Sequence, residues 1–241
     1  GAISMHGVVP ACRAQDCISV FCGDVGEGAE VLSLMAGVDA RDVFQRPNAG
    51  SWDPRPTSMS GFRFGVPRAE QLVFSDGSSR EVFEAAAARL ATLGGTRVEV
   101  DFTSFTQAAR LLYETAWVAQ RLEASGELYA RDPSAVDPVV GKILQGAARF
   151  SAPQAFQADA ELRRLRAQAH SVWQAVDVLL VPTIPGPLTV AQVKQDPIGQ
   201  NSRLGTYTNF VNLMDLCALA IPAGFGAEGV PRVFHVKHDS G

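Results

Sequence analysis

The chain has 241 residues, of which 46% are apolar and 19% charged, and a formal net charge of -4. This composition excludes wholesale disorder, and one large domain of this length buries about 70% of the surface its unfolded form exposes. Basic residues scattered through an acidic chain give no footprint for nucleic acid or an anionic membrane, and no apolar run approaches the ~18 residues of a membrane span.

The first residues lack the basic-then-apolar pattern of a secretory leader, so the expected compartment is cytoplasmic. Val8-Val9-Pro10 and Ile18 to Phe21 read as short strands or extended segments. Cys12, Cys17 and Cys22 are spaced by five, so on an extended strand neighbours point to opposite faces. They fit small buried residues, with a zinc set completed by Cys217 or His6 as the competing reading. Asp24 is placed to cap a helix from Val25 to about Met35, because its side-chain oxygen satisfies free amides of the first turn, and Glu27 complements the helix dipole. Gly23, Gly26 and Gly28 suggest a phosphate loop, but their spacing is wrong and acids occupy the places of the phosphates.

Pro47, Gly50, Pro54 and Pro56 mark a surface loop from Arg46 to Ser60. Phe62 to Pro67 alternates as a strand does. A helix from Ser78 to Leu93 follows, with Phe83, Ala87, Leu90 and Ala91 on one face and Gly94-Gly95 as a left-handed cap. Arg97 to Asp101 is the next strand. Helices are expected over Thr103 to Ala124, Pro138 to Phe150 and Pro153 to Val176, the prolines tolerated in first turns because their missing N–H has no partner there. Arg163, Arg164 and Arg166 read as a solvated helix face.

Asp177 to Pro182 is a continuous apolar run, the pattern of a strand covered on both faces, and Cys217 to Pro222 reads as a second buried strand. The excursion between them carries a helical segment, as in a parallel crossover unit, and such sheets place ligands beyond the carboxyl ends of their strands. The expected fold is α/β: a mixed, largely parallel sheet flanked by helices.

Conventional catalytic motifs are missing from the sequence. There is no Gly-x-Ser-x-Gly elbow and no His-Glu-x-x-His, and His6, His170, His235 and His238 have no metal or triad spacing. One pattern does suggest a ligand. On a continuous helix Tyr113 and Arg121 are separated by a rise of ~12 Å and lie on neighbouring stripes. A guanidinium fork beside a phenol suits a carboxylate or carbamate. The competing reading is an amphipathic helix with Tyr113 and Trp117 against the core and Arg121 in solvent.

Gly7 to Arg13, Phe62 to Arg68, Leu93 to Arg97, Ala109 to Tyr113 and Asn201 to Leu213 resemble segments of the amidase-signature family, most closely its allophanate-hydrolase branch. The resemblance runs from about Gly1 to Pro231. It implies a lysine and a cis-peptide serine that activate a second, nucleophilic serine, without metal or cofactor. It also implies a Tyr–Arg pair, eight residues apart on a helix, that holds the substrate; Tyr113 and Arg121 match that pair in type and spacing.

The family's lysine and serine-rich glycine loop precede the Gly7 to Arg13 segment. The likeness is therefore to the C-terminal part of the amidase domain, an incomplete version of the fold, and no catalytic residue is assigned. Neither Ser4 nor Lys142 stands in the family's context. Residues 232–241 bear no likeness to the family and are expected to be a non-homologous tail beyond a domain of residues 1–231, translated from unrelated DNA. An intact family reading frame in the surrounding locus would sink that expectation. The expected partner is a small amide or carboxylate, with a second copy or a complementing chain to cover open sheet edges.

Overall fold

The computed structural model describes residues 1–46 and 61–239. Its helices are α1 (Val25–Met35), α2 (Gly77–Thr92), α3 (Thr103–Glu114), α4 (Gln120–Arg131), α5 (Pro138–Ala147), α6 (Ala152–Ala175), α7 (Val190–Gln195), α8 (Pro197–Leu204) and α9 (Phe210–Leu213). The strands are β1 (Arg63–Pro67), β2 (Thr96–Val100), β3 (Val178–Pro182), β4 (Leu216–Phe225) and β5 (Pro231–Asp239). They form one sheet in the order β2-β1-β3-β5-β4. β1 runs parallel to both β2 and β3, whereas β5 is antiparallel to both β3 and β4. The fold is the expected mixed sheet with helices on both faces.

Two cores sandwich the sheet. On one face Phe64, Val66, Phe83, Ala87, Leu180 and Phe234 close the space under α2. On the other, Phe102, Phe105, Leu165, Leu179, Tyr207 and Phe210 belong to a larger core beneath α3, α6 and α9. β1 and β3 are buried over four of their five residues each, which is why β3 reads as an unbroken apolar run; β1 is a strand as expected, but it is covered on both faces rather than alternating. Gly65 lets β1 and β3 pack closely: a Cβ there would lie 2.6 Å from Leu179 Cδ2.

The caps follow the sequence. The Asp24 carboxylate accepts from Glu27 N at 2.8 Å, and the glycines before α1 serve as a helix entry, with Gly23 N donating to Glu27 Oε2. Asp76 caps α2 by accepting from Ser79 N, and Gly94 takes φ 92° past its end. Of the face expected on α2, Phe83 and Ala87 are buried, whereas Ala91 is exposed.

Four expectations need correction. Val8 to Pro10 and Ile18 to Phe21 are not strands; nothing described pairs with them, and Phe21 is 96% exposed. The helix expected from Thr103 to Ala124 is broken at Thr115. The segment from Cys217 to Pro222 is not a buried strand: it lies within β4, at the sheet edge and largely exposed, so its apolar run misled the pattern argument. Finally, β3 and β4 point the same way but are not neighbours, because β5 lies between them. β5 runs across the 231/232 boundary and takes the edge of β3 that was expected to stay open. The loop expected from Arg46 to Ser60 falls, apart from Arg46, outside the described residues.

Candidate functional site

The site begins with the break at Thr115. The Thr115 hydroxyl donates to Leu111 O at 2.7 Å, and its backbone is extended at φ -127° and ψ -176°. A short 3-10 turn, Ala116–Ala119, then leads into α4. A threonine hydroxyl that bonds back to the preceding turn competes with the helix ladder, which accounts for a break at this residue. Across it, Arg121 Nη2 donates to Tyr113 Oη at 3.3 Å, and the guanidinium carbon lies 4.9 Å from the Tyr113 ring centroid. The two side chains meet, although not on the continuous helix the spacing argument assumed.

The surroundings leave the cation open to an anion. Arg121 is half-buried, and its Nη1 is enclosed without a hydrogen-bond partner, as is Trp117 Nε1. No carboxylate pairs with Arg121 among the described residues. Because the Tyr113 oxygen accepts from Arg121, its own hydrogen is free to point outward, and Tyr113 is 39% exposed. The pair thus offers an O–H and unused N–H groups, a donor set that a planar carboxylate accepts.

The N-terminal arm packs beside this joint. Ala14 N donates to Gln120 Oε1 at 3.2 Å, Asn212 Nδ2 donates to Gln15 O at 2.7 Å, and the Asp16 carboxylate accepts from the amides of Ala11 and Cys12. Burial pushes the Cys12 thiol up to about 11, Asp16 adds to the rise, and the Arg121 charge acts against both. Cys12 is therefore a protonated packing residue rather than a nucleophile. Sequence reasoning missed its proximity to Arg121, since nothing local links the two positions.

Other candidates are not assembled. The cysteine trio expected to be small buried residues holds only at Cys12, because Cys17 and Cys22 are exposed, and among the described residues no cluster of His, Cys, Asp and Glu could hold a metal ion. The chain has three lysines, Lys142, Lys194 and Lys237, and none bonds a serine among the described residues. Arg163 and Arg164 pair with Asp159 and Glu161 on the surface of α6, and Arg166 Nε donates to Leu213 O. A cavity of about 110 Å³ is lined by His6, Arg13, Asp16, Arg41 and Asp42 among others, but Tyr113 and Arg121 do not line it. No helix among the described residues is long and apolar enough to cross a membrane.

The profile of the Amidase family matches residues 1–232. The chain belongs to the amidase family. Among its relatives, urea amidolyase of Saccharomyces cerevisiae is 35% identical over 235 residues, which are 96% of this chain and 13% of the yeast protein. The 2-amino-5-chloromuconic acid deaminase of Comamonas testosteroni is 27% identical over 96% of this chain and 49% of its own length. Among solved structures, Kluyveromyces lactis allophanate hydrolase superposes with a TM-score of 0.90 at 34% identity, covering 99% of this chain and 39% of that one. This amidase-family chain therefore spans well under half the length of the allophanate hydrolase it resembles.

Proposed function

We propose that this chain is the substrate-holding part of an amidohydrolase of the allophanate-hydrolase type, which splits allophanate to ammonia and carbon dioxide in urea nitrogen catabolism. The observation that carries this reading is the contact between Tyr113 and Arg121 across the Thr115 break, with an arginine that lacks a carboxylate partner among the described residues. In this reading Arg121 and Tyr113 bind the carboxylate end of a small linear substrate and present its amide carbon to a nucleophile. In this reading neither Ser4 nor Lys142 serves as that nucleophile or its base. The chain by itself then binds without turnover, as a non-catalytic carboxylate-binding protein also would.

Malonamate tests the assignment, because a methylene replaces the bridging nitrogen of allophanate and the carboxylate is kept. Calorimetric titration should show binding that Arg121→Lys weakens by about 10-fold or more, since the ammonium keeps the charge and loses the planar fork. Unchanged affinity in Arg121→Ala sinks the site assignment. Ammonia release from allophanate by the pure chain, abolished by a single serine substitution, sinks the view that it binds without turnover.

A further inference from the structure

β5 carries two buried bases, and they are treated in opposite ways. Arg232 is 5% exposed and fully matched: its Nε donates to Ser79 Oγ at 2.8 Å, its Nη1 to Val230 O at 2.9 Å, and its Nη2 to Glu228 Oε1 at 2.6 Å, with Asp76 at 3.7 Å. Lys237 is 0% exposed and has no counter-charge among the described residues. Its Nζ donates to the carbonyl oxygen of Tyr207 and lies 4.3 Å from the Phe210 ring centroid.

The groups around Lys237 can be followed element by element. Its register partners are Leu179 on β3 and Ala218 on β4. β3 has no ionisable side chain, and the only one on β4 is Cys217. Asp177 and Asp215, which flank those strands, are engaged by Arg63 and Arg46. From the helix layer come Tyr207 and Phe210, and the Tyr207 hydroxyl is committed elsewhere, donating to Gln71 O at 3.0 Å and accepting from Val73 N at 2.6 Å. On β5 itself His235 shares the face two residues away, and burial presses it too toward the uncharged form.

An ammonium has three donors and a full charge to place, whereas this pocket supplies one carbonyl and one ring face. A neutral amine fits it at much lower cost. We propose that β5 is a proton-sensitive latch: it holds β3 and β4 together while Lys237 is an uncharged amine, and it is released when that amine takes up a proton. Burial holds the Lys237 ammonium well below its ordinary range, with no opposing charge. The unfolded chain then binds a proton that the folded chain does not. The contribution to stability is therefore full above the unfolded value, about 10.5, and is lost as pH falls toward the folded value.

The test is denaturant unfolding of the full chain between about pH 7 and 8, a window above the His235 titration and below the range in which the Cys12 thiol of the unfolded chain ionises. As pH rises, the unfolding constant of the wild type should fall by about tenfold per pH unit, and Lys237→Met should abolish that dependence. An equal slope in the two proteins, or a flat wild type, overturns the proposal. Where Lys237→Met does not fold, the wild-type slope stands alone beside the ¹⁵N signal of the lysine Nζ. A neutral-amine signal at neutral pH is expected, and an ammonium signal overturns the inference. Amide exchange, corrected for intrinsic rates, should show β5 opening before β2 as pH is lowered; simultaneous opening sinks the latch.

Discussion

The two halves of the sheet are built by different rules. On the parallel side, β1 and β3 are closed above and below by α2 and by α3 and α6, and every interior position is apolar or glycine. On the antiparallel side, β4 presents uncharged apolar residues at the edge, with Leu219 and Phe225 exposed, and β5 buries Lys237 and much of His235. The first half draws its stability from packing that pH does not touch. The second is held by backbone pairing around ionisable groups, so solution conditions act there first.

The largest expected effect tests the packed half. Leu179→Ala removes a fully buried side chain between β1 and the α6 layer, and should cost about 2–5 kcal/mol in urea unfolding. A loss under about 1 kcal/mol would show that this half is loosely packed and break the comparison.

Next comes acid sensitivity of the other half. Burial pushes His235 down to about 4. The unfolded state therefore binds the extra proton between about pH 4 and 6.5, and stability should fall as pH is lowered through that window. His235→Phe should lose less stability than the wild type over the same range. Parallel pH profiles for the two proteins would place the acid-labile group elsewhere.

The smallest effect on stability, within about 0.5 kcal/mol, is expected for Leu219→Lys on the exposed β4 edge. Its effect on association should be larger. An uncharged edge strand is a template for another copy, and a lysine on it opposes that pairing. Light scattering should show self-association of the wild type reduced in the variant; a monodisperse monomeric wild type would mean that the edge is already protected.

What the sequence made legible follows this division. Phe62 to Pro67 was readable from its alternation, Asp177 to Pro182 from the apolar run that burial on both faces leaves, and the helix ending at Gly94 from its left-handed cap. β4 was misread because an apolar run is the same whether a neighbour covers it or not. β5 was not expected at all, since Arg232 to Asp239 mixes basic and apolar residues and its place depends on partners distant in the chain. At the candidate site, the spacing of Tyr113 and Arg121 pointed to a pair, but the break between them rests on one hydroxyl, that of Thr115, which a periodicity argument cannot weigh. The orphaned Nη1 of Arg121 and Nε1 of Trp117 belong to three-dimensional enclosure and left no sequence signal.

The position of β5 also orders events during synthesis. β3 and β4 are separated by 33 residues of helices and turns, from 183 to 215, yet they become joined only through residues 231–239. Until that stretch has left the ribosome, the growing chain carries a finished three-stranded core whose β3 edge is open, and a β4 with no partner in the described sheet. At roughly 5–20 residues per second that interval lasts about 3 to 11 seconds, which is long beside the microseconds of hairpin closure. Once β5 emerges, it pairs with β4 through a short turn and closes the gap as a hairpin, so a pause in translation within residues 216–239 would prolong the period in which the edge of β3 is open.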